Sequence, residues 1–266
     1  MVILDKEGKY KGGWGDAATY PRPHGAAFCA DGDLLLVDAG SHVVVKAHRN
    51  GEQVLTIGRH GVAAPLYSGQ PFNQPTDAFE DPLSRDIFVA DGYGNSSIHR
   101  FDASGEHIAS WGEPGSGDAQ LSNPHGMCLL DDDHLAVCDR ENYRILIFDL
   151  AGKLVDRWHW HHPSAIRVVG DLLYIAELGP PAYLHGKIPN MGCTVSVCTR
   201  TGKVLERLGA ELPGLGTGHF LAPHSLAIDE AGTVYVAEAN AAYLSLLGTP
   251  AARAESLACL RRWSAA

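Results

Sequence analysis

A fixed order of parts recurs five times along this chain. Each unit opens on a Pro-His-Gly-like entry and runs through an apolar strand to an Asp-Gly turn. An alternating strand ending in Asp or Glu follows, then a polar turn, a third strand, a turn with Gly, and a last strand. The first unit runs from Pro23-His24-Gly25 through Leu34–Asp38 and Val43–Lys46 to Gln53–Gly58. The others open at Gln74-Pro75-Thr76-Asp77, Pro124-His125-Gly126, Ser164-Ala165-Ile166 and Pro223-His224-Ser225. From His24 to His224 is 200 residues in four steps, a mean of 50. Two-residue alternation between turns is the mark of half-buried strands. A period near 50 suits four-stranded propeller blades. A two-sheet sandwich is the competing architecture, but its strands do not repeat one motif at fixed offsets.

Ahead of the first full unit, residues 2–15 match the second half of a unit: Val2-Ile3-Leu4-Asp5 and Trp14-Gly15 parallel Phe101-Asp102 and Trp111-Gly112. The expectation is therefore an all-β, six-bladed β-propeller with an incomplete first blade, in a single domain. Its full blades would span about 23–58, 74–112, 124–160, 164–209 and 223–263. At the far end, Thr249-Pro250 starts like a capped helix, with Arg261-Arg262 placed for its C-terminal end. That helix would take the place of the last outer strand.

Fourteen histidines are present, and most need no function. His42, His48, His60, His99, His107 and His134 read as turn or surface residues. His159, His161 and His162 lie in an alternating strand edge. His24, His125 and His224 differ, because each follows a proline and each opens a unit. They are 101 and 99 residues apart, two repeats each, so in a six-bladed ring they fall on alternate blades about 120° apart. Thr76 and Ser164 hold the same offset in the blades between. Three imidazoles converging from innermost strands form an open metal site. A packing role for Pro-His is the alternative, but packing should put it in every blade.

The turn after the second strand returns to the histidine face. Asp91-Gly92-Tyr93-Gly94-Asn95-Ser96 presents Tyr93 there, and Asp139-Arg140-Glu141-Asn142 presents Arg140, a candidate carboxylate clamp. Thr76, Asn95 and Ser164 are candidate substrate contacts. Alone, Tyr93 could be an exposed turn aromatic and Arg140 a charge paired with Glu141.

Bulk properties narrow the partners. The net charge is −10, with no Lys/Arg stripe, which argues against nucleic acid or an anionic membrane. No apolar run approaches 18 residues. The first residues show no signal-peptide pattern, so a cytoplasmic product is expected. The six cysteines, Cys29, Cys128, Cys138, Cys193, Cys198 and Cys259, show no CxxC pair; buried thiols are expected rather than disulfides.

These units read as NHL-type repeats. Phe72–Asp77, Asp91–Ser96, Pro124-His125-Gly126 and Ala136–Asn142 further resemble the core of peptidylamidoglycolate lyase, the lyase half of the peptide α-amidating enzyme. The similarity covers nearly the whole chain. It implies cleavage of a peptidyl α-hydroxyglycine to an amide and glyoxylate, with a small-molecule or peptide substrate. It further implies zinc on His24, His125 and His224, with Tyr93 and Arg140 as active-site residues. Other divalent transition metals also suit imidazole ligands. This sequence departs from the family at three points. The family's second arginine, from the first half of the first blade, has no counterpart. Ser225 stands where the family has a calcium-ligating aspartate, which weakens the case for calcium. Ala222 stands where it has methionine. Two other readings remain open at this point: a metal-dependent hydratase or hydrolase on a small hydroxy acid, and a non-catalytic propeller scaffold binding peptide or protein.

Overall fold

The computed structural model describes residues 1–266 apart from 6, 182, 183, 185, 247, 249–258 and 264–266. The chain divides into two compact units, Met1–Pro124 and His125–Ala266.

The first unit begins with a two-stranded hairpin, β1 (Val2–Leu4) and β2 (Tyr10–Gly13). Two four-stranded antiparallel sheets follow. One is β3 (Pro23–Phe28), β4 (Leu34–Asp38), β5 (Val43–Ala47) and β6 (Gln53–Gly58). The other is β7 (Asp77–Glu80), β8 (Ile87–Asp91), β9 (Ser97–Phe101) and β10 (His107–Trp111). A single helical turn, α1 (Gly92–Asn95), links β8 to β9.

The second unit carries β11 (Pro124–Leu129), β12 (His134–Asp139), β13 (Arg144–Asp149) and β14 (Leu154–His159). It continues with β15 (Pro163–Val169), β16 (Leu172–Glu177), β17 (Thr194–Thr199) and β18 (Val204–Leu208). The last sheet holds β19 (Pro223–Ile228), β20 (Val234–Glu238) and β21 (Leu260–Trp263), with α2 (Asn240–Leu246) between the last two strands.

Among the described residues there are five blades, not the six expected. The 2–15 segment forms its hairpin, but β1 is exposed along its whole length. It has the turn grammar of a half-blade, but among its described residues only Trp14 packs against the neighbouring core, and the two strands do not make a blade. The 120° spacing expected of the histidines, which needs six blades, therefore does not follow. The helix expected from Thr249 falls outside the described residues. Arg261 and Arg262 lie in β21, opposite Val236 and Tyr235 of β20, and not at a helix end.

Within each blade the middle strands are buried and the outer strand is mostly exposed; β8 is buried throughout, whereas β10 is largely exposed. Strand alternation gives each sheet two apolar faces. From β4, Leu35 and Val37 pack with Phe72, Ile87 and Val89 of the next blade, while Leu36 packs with Tyr20 and Val45. In the second unit, Ile145, Ile147, Ile166 and Ile175 join one core, and Ala176, Val195, Phe220 and Val236 join another. Each Val, Leu, Ile or Phe side chain among these stabilises the fold by roughly 1.5–3 kcal/mol on burial. Cys29, Cys128, Cys138, Cys193 and Cys198 are buried and Cys259 is exposed. Burial pushes the thiols of Cys29, Cys193 and Cys198 up to about 12, so these are unreactive core groups.

The acids that end the second strands of three blades share a task. Asp38, Asp91, Asp139, Glu177 and Glu238 are all buried. Asp38 accepts the backbone N–H of Arg22 at 3.0 Å and of Ser41 at 2.6 Å. Asp91 accepts the N–H of Asn73, and Glu238 those of Leu221 and Ala222. In these three blades the carboxylate satisfies main-chain donors in the segment leading to the blade opening, which would otherwise be orphaned on burial.

Candidate active site

The blade openings carry a second regularity. Proline stands at Pro23, Pro75, Pro124, Pro163 and Pro223, and the next residue alternates His24, Thr76, His125, Ser164, His224. Proline lacks an N–H, so it can lead a strand without leaving a donor unpaired. The alternation has a structural cause. In the first unit, His24 Nδ1 lies 2.6 Å from the Thr76 carbonyl oxygen. Thr76, buried, directs its hydroxyl at the carbonyls of Ala90 (3.1 Å) and Pro124 (2.7 Å). In the second unit, His125 Nδ1 lies 2.6 Å from the Ser164 carbonyl oxygen. Ser164 directs its hydroxyl at the carbonyls of Ala176 (3.1 Å) and Pro223 (2.8 Å).

A carbonyl oxygen can only accept, so the Nδ1 of both histidines is the protonated nitrogen. Each Nε2 is then left with its lone pair. This is how protein matrices fix a metal-binding imidazole: the distal nitrogen donates to a carbonyl, which sets tautomer and ring orientation. The glycines after His24 and His125 make that approach possible. A Cβ on Gly25 would lie 2.9 Å from the Thr76 oxygen, and one on Gly126 2.7 Å from the Ala165 Cα and 2.8 Å from the Ser164 oxygen.

Thr76 and Ser164, expected as substrate contacts, are therefore bracing residues. Their side chains are buried and their hydroxyls point into the main chain. Asn95 is corrected in the same way. It is fully buried, its amide nitrogen donating to the Gln70 carbonyl (2.6 Å) and Asp91 (2.8 Å), and its oxygen accepting the Gly69 N–H (3.0 Å).

Tyr93 sits on α1, half-buried, and its hydroxyl lies 2.9 Å from His24 Nε2. The phenol thus meets the ring nitrogen of His24 opposite the one that faces the Thr76 carbonyl. In the second unit, the rings of His125 and His224 meet edge-on with centroids 4.6 Å apart. Their ligand nitrogens lie within 4.8 Å of one another. His125 is buried and His224 half-buried. Imidazole pairs of this kind suit zinc and neighbouring transition metals rather than calcium or magnesium.

Arg140 opens a short 3-10 turn, Arg140–Asn142. Its Nε donates to Glu141 at 2.9 Å, and His162 Nε2 lies 3.1 Å from the other Glu141 oxygen. Burial would raise the Glu141 carboxyl, but His162 and Arg140 outweigh it and hold it at about 2. The charge of Arg140 is thus already answered by a carboxylate, and His162 belongs to this ion-pair network.

Three features were missed in the sequence. His99 is wholly buried, bridging Asp91 (3.3 Å) and Ser110 (2.7 Å), and is no surface residue. Arg22 lays its guanidinium over the Tyr93 ring, 4.6 Å from the centroid. Glu177 ends its strand with a carboxyl that burial pushes up to about 7. None of the three contacts has a signature in the repeat pattern; Arg22 stands two residues before His24, in the segment that Asp38 fixes.

The NHL repeat family matches residues 121–148, the opening and first three strands of the β11–β14 blade. The chain is 33% identical over 230 residues to peptidylglycine alpha-amidating monooxygenase of Rattus norvegicus, covering 82% of this chain and 22% of that protein. It is 30% identical over 263 residues to peptidyl-alpha-hydroxyglycine alpha-amidating lyase 1 of Drosophila melanogaster, covering 90% of this chain and 47% of that protein. The chain therefore spans less than half the length of either relative. Among solved structures, the WD40 beta propeller domain of Doa1 superposes with a TM-score of 0.55 at 12% identity, over 81% of this chain and 69% of that one. The chain thus carries an NHL repeat in an all-β propeller fold and resembles the α-amidating lyases across most of its length.

Proposed function

We propose that this protein is a metal-dependent lyase that cleaves a peptidyl α-hydroxyglycine to a peptide amide and glyoxylate. His24, His125 and His224 would hold one divalent metal, zinc in the first instance. The observation that carries this reading is the shared anchoring of His24 and His125. Both rings turn Nδ1 to the carbonyl of the residue that opens the neighbouring blade, which fixes tautomer and ring orientation. The donor set fits a borderline-soft cation, and the similarity to the amidating lyases supports the reaction class.

The metal's contribution when bound is Lewis acidity toward an oxygen of the substrate. The rest falls to the chain. Tyr93, whose oxygen lies 2.9 Å from His24 Nε2, would act as the phenolate and accept the proton of the carbinol hydroxyl. As that oxygen becomes a carbonyl, the carbon–nitrogen bond breaks and the electron pair leaves on the amide nitrogen. The same proton returns to that nitrogen, so the products are a primary amide and an aldehyde acid with no water consumed. A positioned proton acceptor of this kind contributes about 10²–10⁴ in rate. Thr76 and Ser164 hold the imidazoles still and touch no substrate.

The test is elemental analysis of the protein and of His24→Ala, His125→Ala and His224→Ala after zinc addition and gel filtration. One zinc per chain is expected for the unaltered protein, with lower occupancy in each variant and unchanged β-sheet circular dichroism. Absence of stoichiometric metal in the unaltered protein overturns the proposal in favour of a binding scaffold.

A further inference from the structure

We propose that Arg22 receives the carboxylate of the substrate. The proposal rests on the lyase reading above, whose substrate carries a carboxylate on the carbon that bears the hydroxyl. Such a group needs a cation close to the proton-accepting phenol. Arg140 is spoken for by Glu141.

Arg22 meets the requirement in three ways. First, its backbone is fixed: its N–H donates to the buried Asp38 carboxylate at 3.0 Å, and its carbonyl accepts the Ala39 N–H at 3.0 Å. Second, its guanidinium is held in place. One terminal nitrogen donates to Gln74 Oε1 at 3.0 Å, and the group lies over the Tyr93 ring. Stacking on an aromatic face orients a guanidinium without consuming its in-plane donors. Gln74 is itself anchored, its N–H donating to His42 Nδ1 at 3.1 Å. Third, Arg22 is exposed, and among the described residues no carboxylate forms an ion pair with it. A charged fork next to the reacting phenol, rigid at its base and with no acid bound, is suited to bidentate capture of a carboxylate.

The arrangement also explains why the residue between Pro21 and Pro23 matters. The flanking prolines restrict the backbone, and the guanidinium is presented from a segment only two residues ahead of His24. A lysine at this position would keep the charge but lose the planar stack and the fork.

The experiment compares N-benzoyl-α-hydroxyglycine with its methyl ester as substrates for zinc-loaded protein, Arg22→Gln and Arg22→Lys. The ratio of kcat/KM for acid over ester is the readout. Arg22→Gln is expected to lower that ratio about 10- to 100-fold, the effect of losing a charge-assisted pair, chiefly through KM for the acid. Arg22→Lys should recover part of it. A parallel calorimetric titration uses N-benzoylglycine, which has no α-hydroxyl and does not react, against its amide. The unaltered protein should prefer the acid, and Arg22→Gln should lose that preference. An unchanged acid-to-ester ratio, or equal loss for both substrates, overturns the assignment. If the unaltered protein releases no glyoxylate, the lyase reading falls by itself, and the titration still decides Arg22: no loss of acid preference in Arg22→Gln overturns it.

Discussion

His125 donates its Nδ1 proton to the main-chain carbonyl of Ser164 across 2.6 Å, and Ser164 in turn directs its hydroxyl at the carbonyl of Pro223, the residue before His224. One small hydroxyl residue therefore sets the orientation of one histidine and braces the strand that carries the next. Thr76 does the same between His24 and Pro124. Ser164→Ala should leave the Pro223 and Ala176 carbonyls short of a donor inside the protein. The expected cost is about 1–2 kcal/mol of stability in urea unfolding, with metal retained and turnover within a few-fold. A variant as stable as the parent but without activity would return Ser164 to the role of a substrate contact.

Gly126→Ala tests the close approach that this orientation needs. The added methyl would sit 2.7 Å from the Ala165 Cα and 2.8 Å from the Ser164 oxygen, both backbone atoms that cannot swing aside. Overpacking of this kind costs about 1–3 kcal/mol, and zinc affinity should fall because the carbonyl that fixes His125 is displaced. Gly216→Ala serves as the control. Its methyl would meet only the His219 side chain, at 3.7 Å, so thermal unfolding should match the parent within experimental error.

Much of this was open to inspection in the residues, and the exceptions share a cause. The blades could be read because each strand alternates between turns and the same order of parts recurs. The candidate histidines stand out in the sequence because they occupy alternate blade openings. The blade count could not be, since residues 2–15 have the right turns but the exposed β1 shows no buried face to pack. Thr76, Asn95 and Ser164 were placed at the right offsets with the wrong task. Position along a repeat fixes which face a residue joins, whereas the partner of its hydroxyl or amide depends on the neighbouring chain. His99 was misjudged for the same reason, because its ring turns inward to Asp91 and Ser110. Arg22 precedes the repeating motif, so its stack on Tyr93 has no signature in the pattern.

Glu177 supplies a pH dependence. Burial pushes its carboxyl from the usual 4.5 up to about 7. Below 4.5 the group is protonated in both folded and unfolded chains. Between 4.5 and 7 the unfolded chain loses its proton while the folded chain keeps it, so stability falls as pH rises through this window and levels off above it. The full effect is of the order of 3 kcal/mol. Glu177→Gln should remove this slope and be more stable than the parent at pH 8, as measured by denaturant unfolding at pH 5, 6.5 and 8. Parallel pH profiles for the two proteins would show that Glu177 does not titrate in that window.

Tyr93→Phe separates metal binding from chemistry. Only the hydroxyl beside His24 Nε2 is lost, while the ring that supports Arg22 remains. Zinc occupancy should be preserved and kcat should fall about 10²–10⁴-fold. Loss of zinc in this variant would mean that the phenol acts by holding the histidine rather than by accepting a proton.

The central claim is that three histidines from alternate blade openings hold a metal that serves lyase chemistry. Its most direct test is glyoxylate release from a synthetic peptidyl α-hydroxyglycine, followed with metal-stripped protein, with zinc restored, and with zinc-treated His224→Ala. The account predicts glyoxylate and peptide amide in equal amounts only when zinc is restored to the unaltered chain, with His224→Ala at or near background. Release that is equal with and without metal, or undiminished in His224→Ala, would contradict it.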